Sequence, residues 1–196
     1  MQQVALSRIH PRRRRLLPRT VVLAALLCGI FGAAHADQYD DVSALLQQGQ
    51  AQAALTKSEA YIASNPRDPQ MRFLRGVILN SQGRQDEAIE AYTALTREFP
   101  ELPEPYNNLA ALYAGKGRFD QAREALETAL QLNPNYATAR ENLGDVYVRL
   151  AAQAYQRAQQ LDKANTSAAP KLATLRQVFP PAAAPVQAST LEPAKR

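Results

Sequence analysis

The chain repeats itself at an interval of 34 residues. Gly49, Gly83 and Gly117 form one series, Ala54, Ala88 and Ala122 a second, and Pro66, Pro100 and Pro134 a third. Three series in one register leave little room for coincidence. A glycine suited to a turn, an alanine suited to a close contact and a closing proline describe a stacked helix-turn-helix unit. One such unit cannot bury its apolar face alone, so successive units must stack, and stacks of this kind expose long binding surfaces. From Asp37 to about Phe179 the chain is rich in Ala, Leu, Gln, Arg and Glu, which are strong helix formers. No run of alternating β-branched residues suggests a sheet. The expected class is all-α.

The first 36 residues read differently. Residues 1–19 hold six arginines and no acid, and residues 20–34 are apolar or small. Ala34 and Ala36 then supply small residues at the two places a signal peptidase reads. This order is that of an export signal, with cleavage expected between Ala36 and Asp37 and a periplasmic mature chain. The alternative is an uncleaved signal that tethers the chain to the inner membrane with its repeats facing the periplasm. The apolar run is shorter than the ~20 residues of a membrane-spanning helix, which favours cleavage. Leu27 before Cys28 fits lipoprotein processing poorly.

Removing residues 1–36 lowers Lys+Arg from 23 to 17 and leaves Asp+Glu at 18, so the mature charge is near −1. The basic balance therefore belongs to the leader and does not argue for nucleic acid as a partner. The leader also takes Cys28, His10 and His35, the only Cys and His residues. A mature chain without them has no disulfides, no zinc site of the usual ligand type and no histidine acid–base chemistry. No cofactor, metal or integral membrane span is expected in it.

The third unit, Pro103 to Tyr136, is the clearest. Tyr106, Leu109, Ala110 and Tyr113 recur at helical spacing, and Pro105 suits a first turn. Gly115 and Gly117 break that helix, Asp120 suits the start of the next, and Ala122, Leu126, Ala129 and Leu130 give the second helix its apolar face. Asn133 and Pro134 end it. These residues closely resemble the tetratricopeptide repeat. Tyr106 falls at its large aromatic site, Leu109 and Ala110 at its Leu-Gly site, and Tyr113 at its tyrosine site. Ala122, Leu126 and Ala129 match its second helix and Pro134 its closing proline. The resemblance covers roughly residues 39–164 and implies a right-handed superhelical array of antiparallel helix pairs.

The expected organisation is a signal over 1–36, a helical domain over 37–179 and a disordered Pro/Ala-rich tail over 180–196. The units are about 37–68, 69–102, 103–136 and 137–164, with a closing helix about 168–179. The second unit departs from the family pattern at Arg72 and Arg75, where Phe73 and Leu74 offer apolar contact instead. Close helix contacts are expected at Gly76, Ala110, Gly144, Ala88 and Ala122. Core or core-edge positions are expected for Tyr92, Tyr106, Tyr113 and Tyr147, and a solvated surface for Asp86, Glu87, Glu124 and Glu127. The fourth unit starts well at Leu143, Gly144 and Tyr147. It then lacks a turn glycine near 151, and Tyr155, Ala158 and Leu161 read as second-helix positions five residues early. Either a shortened turn or one helix over 138–164 fits, the latter slightly better. Asn165, Thr166 and Ser167 offer a cap for a helix that packs Leu172, Leu175 and Phe179 on the array.

In the resembled family the first helices line a concave groove. Matching positions are Tyr39, Ser43, Leu46 and Gln47 in the first unit and Phe73, Val77, Asn80 and Ser81 in the second. The third supplies Asn107, Ala111 and Ala114, and the fourth Glu141, Asp145, Val148 and Arg149. Asn amides can both donate to and accept from a peptide backbone, and small Ala residues leave room for a ligand's side chains. The resemblance therefore implies an adaptor for a protein or peptide segment of the cell envelope. Some relatives clamp a C-terminal carboxylate with lysines on successive first helices. None of these positions is Lys, and only Arg149 is basic. A second reading is a self-associating structural protein joined through Leu172, Leu175 and Phe179, so a homo-oligomer stays open. Catalysis is not expected. Ser43 and Ser81 have no base nearby in sequence, and the Glu141/Asp145 pair has the spacing of an ordinary surface pair.

Overall fold

A computed structural model describes residues 38–179. The expected signal and the expected disordered tail lie outside the described residues. Contacts divide the chain into a unit of residues 1–40, of which only the helical residues 38–40 are described, and a unit of residues 41–196. The described residues form eight helices and no strand. These are α1 (38–47), α2 (Ala51–Ser64), α3 (Pro69–Ser81), α4 (Gln85–Glu98), α5 (Pro103–Gly115), α6 (Phe119–Leu132), α7 (Ala137–Leu161) and α8 (Ala168–Val178). From α2 onward each helix packs on its neighbours in sequence, and α5 also touches α7. Among the described residues no helix is long and apolar enough to cross a membrane.

The glycine series makes the turns. Gly49, Gly83 and Gly117 have φ of 75°, 74° and 72°, a left-handed conformation that side chains with a Cβ resist. Each turn closes with the same pair of bonds. Gly83 N–H donates to Asn80 O at 2.9 Å and Arg84 N–H to Leu79 O at 3.0 Å, and the other two turns repeat this. The alanine series makes the close contacts: Ala54, Ala88 and Ala122 are all 0% exposed. In the connections between units, Asp68 caps α3 by accepting from Met71 N–H at 2.9 Å, and α5 opens on Pro103.

The two arginines of the second unit are accounted for by their partners. Arg72 pairs with Glu98 at the end of α4 and lies 5.7 Å from the Phe99 ring centroid. Arg75 Nε donates to Glu59 Oε1 on α2 at 3.2 Å. Leu74 beside them is buried.

The fourth unit is one helix. Ala151 occupies the register of the turn glycines, and a residue with a Cβ pays about 1–2 kcal/mol to enter the left-handed conformation. No proline intervenes, so the helix runs on for 25 residues. Consequently no second helix returns over its first half. Gly144 has no atom within 4 Å of where a Cβ would sit, and Tyr147 is 49% exposed. Both depart from the expectation of close packing, for want of that second helix. Gly76 and Ala110 do occupy close contacts. Tyr92 is buried, and Tyr106 and Tyr113 are half-buried. Asn165 caps α8, its Oδ1 accepting from Ser167 N–H and Ala168 N–H at 3.1 Å each. Leu172 is buried on the closing helix, Leu175 is half-buried and Phe179 is exposed.

Candidate protein-binding face

The first helices α3, α5 and α7 carry the candidate face. On α3, Phe73, Val77 and Asn80 recur at helical spacing and are each half-buried, while Ser81 is exposed. The Ser81 hydroxyl donates to Ile78 O at 2.7 Å, so it is held by its own helix. The Phe73 ring tilts against Tyr92, with centroids 5.5 Å apart. On α5, Ala111 and Ala114 are half-buried. On α7, Asp145, Val148 and Arg149 are half-buried and Glu141 is exposed. On α1, Ser43 and Leu46 are half-buried and Gln47 is exposed; Tyr39, in the first unit of the chain, is half-buried.

Asn107 departs from the sequence expectation. It is 0% exposed, and its amide is consumed inside the array. Asn142 Nδ2 donates to Asn107 Oδ1 at 2.8 Å, Asn107 Nδ2 to Asn108 Oδ1 at 3.4 Å, and Asn108 Nδ2 to the Tyr92 hydroxyl at 2.9 Å. All four residues are buried, and they join α7, α5 and α4 in one line of hydrogen bonds. Burial pushes the Tyr92 hydroxyl well above its ordinary pKa, and the Asn108 hydrogen bond partly offsets this. Buried amides left unpaired are costly, so this line fixes how the third and fourth units sit on the second. Sequence reading missed Asn108, Asn142 and Tyr92 as a group. The available signal was a pair of asparagines on one first helix and another on the next, at positions that point inward in neighbouring units.

Ion pairs join partly exposed side chains along the helices. Lys116 Nζ lies 2.8 Å from Asp86 Oδ1, and Arg84 Nη2 lies 2.6 Å from Glu87 Oε2. The Lys116 hydrogen bond draws the Asp86 carboxyl below its ordinary pKa, and the Arg84 hydrogen bond does the same for Glu87. Glu127 accepts from Arg123 at 2.9 Å and from the Tyr147 hydroxyl at 3.3 Å. Among the described residues, no cluster of three or more His, Cys, Asp or Glu could hold a metal ion.

Fold and face together define a helical-repeat protein built from paired helices with glycine turns. The tetratricopeptide repeat family matches residues 39–103 and 112–150, and the chain belongs to that family. Among solved structures it resembles a thermophilic TPR protein of Thermus thermophilus, at 24% identity and a TM-score of 0.55, covering 74% of this chain and 82% of that one. It also resembles the Yersinia enterocolitica type III secretion chaperone SycD, solved with a peptide of the translocator YopD. That similarity is 20% identity with a TM-score of 0.54, covering 64% of this chain and 95% of the chaperone. A third similarity is to the structure of Naa15/Naa10 bound to HypK-THB, at 20% identity and a TM-score of 0.52. It covers 73% of this chain but only 22% of that one. At these identities the likenesses establish the fold.

Proposed function

We propose that this protein is a non-catalytic adaptor of the cell envelope that holds a protein segment on the first-helix face. The observation that carries the reading is the set of half-buried side chains on α3, α5 and α7, apolar at Val77, small at Ala111 and charged at Asp145 and Arg149. Side chains with part of their surface open can bury it against a ligand, and the small middle leaves room for the ligand's own side chains. The similarity to a chaperone solved with a translocator peptide supports the reading. The basic-apolar-small order of residues 1–36 supports a periplasmic setting. The buried Asn107 serves the array and drops out of the binding set.

The experiment is site-specific photo-crosslinking in cells. A crosslinking residue is placed at Val77, Ala111 or Asp145, and in controls at Glu90 or Gln121 on the exposed side of second helices. A discrete adduct from the first three positions and none from the controls is expected. Adducts from the controls alone would overturn the groove reading. Envelope fractionation, with an N-terminus at Asp37, is expected for the exported chain; a cytoplasmic chain retaining Met1 would refute the periplasmic assignment.

A further inference from the structure

Three pairs of positions 16 residues apart trade size between a first and a second helix: Val42 with Ser58, Gly76 with Tyr92, and Ala110 with Leu126. All six residues are buried. The contact is explicit in the second unit, where a Cβ on Gly76 would meet Tyr92 Cε1 and Cζ at 2.6 Å. In each pair one member is large and the other small. The fourth unit carries the same pair as the second, Gly144 with Tyr155, but only 11 residues apart and on one uninterrupted helix. Eleven residues of helix span about 16 Å, so Tyr155 cannot reach the Gly144 of its own chain. Gly144 stands open, with nothing within 4 Å.

We propose that a second copy of this chain fills that opening, with the two α7 helices antiparallel and each Gly144 receiving the partner's Tyr155. The register is self-consistent. The midpoint of residues 144 and 155 lies between Arg149 and Leu150, at the centre of Ala137–Leu161, so this pairing also overlaps the two helices along their whole length. It sets Val148 opposite the partner's Ala151, again large against small. It also brings Asp162 beside the partner's Ala137, the first residue of a helix whose N-terminus has no side-chain cap. A carboxylate there is favourable. Both contacts occur twice, as a twofold interface requires. In the single chain α8 lies over the second half of α7, with Lys171 Nζ 5.6 Å from the Tyr155 ring centroid, and leaves Tyr155 only half-buried. The partner's α7 displaces α8 about the turn at residues 162–167. The interface would cover Glu141 and Val148 of the first-helix face and leaves the candidate positions on α3 and α5 clear.

Disulfide trapping tests the register. In a full-length Cys28→Ser background, Gly144→Cys/Tyr155→Cys is oxidised mildly and run without reductant. The two cysteines lie too far apart on one helix to join within a chain. A covalent dimer from the double variant, absent from either single variant, is expected. A folded double variant that stays monomeric overturns the proposal. Sedimentation equilibrium supplies the second readout. Gly144→Leu should weaken dimerisation by about a hundredfold, because the overpacked contact occurs twice. Gly144→Ala/Tyr155→Leu, which copies the Ala110/Leu126 pair, should retain it. A wild-type chain that is monomeric at micromolar concentration, or a dimer indifferent to Gly144→Leu, overturns the proposal.

Discussion

Gly76 and Gly144 occupy equivalent positions in their units, yet adding one methyl to each should move stability in opposite directions. At Gly76 the new Cβ would sit 2.6 Å from the Tyr92 ring, about 0.8 Å inside the 3.4 Å where ordinary contact begins. The ring has little freedom to yield. Its hydroxyl accepts from buried Asn108 at 2.9 Å, and Phe73 lies against it at 5.5 Å. Overpacking costs about 1–3 kcal/mol, straining a buried hydrogen bond adds about 1 kcal/mol, and the better helix propensity of Ala returns about 1 kcal/mol. The net expectation for Gly76→Ala is a loss of about 2 kcal/mol, or a Tm lowered by roughly 4–8 °C for a chain of this size. At Gly144 nothing lies within 4 Å, so only the propensity term remains. Gly144→Ala should stabilise the single chain by about 0.5–1 kcal/mol. Urea denaturation of both variants, at concentrations where the chain is monomeric, supplies the comparison. Gly76→Ala/Tyr92→Leu, which copies Ala110/Leu126, should recover part of the loss. Equal effects of the two glycine substitutions would refute the packing argument, as would a Gly76→Ala variant as stable as the parent.

Three further outcomes are expected. Asn142→Leu should cost about 2–3 kcal/mol by stranding the buried Asn107 amide, while Asn107→Leu/Asn142→Leu should cost less than the sum of the singles; additive costs in a denaturation cycle would argue against their coupling. Gly83→Ala should cost about 1–2 kcal/mol because its φ of 74° disfavours a Cβ, and an unchanged melt would contradict the turn geometry. The Tyr92 pKa is raised on folding, so its contribution is intact below the ordinary tyrosine pKa of about 10 and falls above it by about 1.4 kcal/mol per pH unit as the unfolded chain loses the proton first. Between about pH 9 and 11.5 the parent should therefore lose stability more steeply than Tyr92→Phe; parallel curves would show that this hydroxyl does not titrate late.

The architecture was legible in the sequence because its determinants are local. A left-handed turn needs glycine, and a close helix contact needs a small side chain. Both recur with the 34-residue period, so the series fell on turns and buried alanines as read. The fate of the fourth unit was half legible. The missing glycine at Ala151 pointed toward a continuous helix, and α7 runs through that position. The consequence, an open Gly144 and a bare Tyr147, depended on which helices then had no neighbour. Asn107 shows the same division. Its helical phase matched groove positions of the family, but burial is a property of everything packed around a residue. The asparagine of the next first helix, 35 residues on, closed over it. Sequence alone determined the class of fold and the turn chemistry. Tertiary structure decided which polar side chains face one another and which faces stay uncovered, because those depend on contacts between segments far apart in the chain.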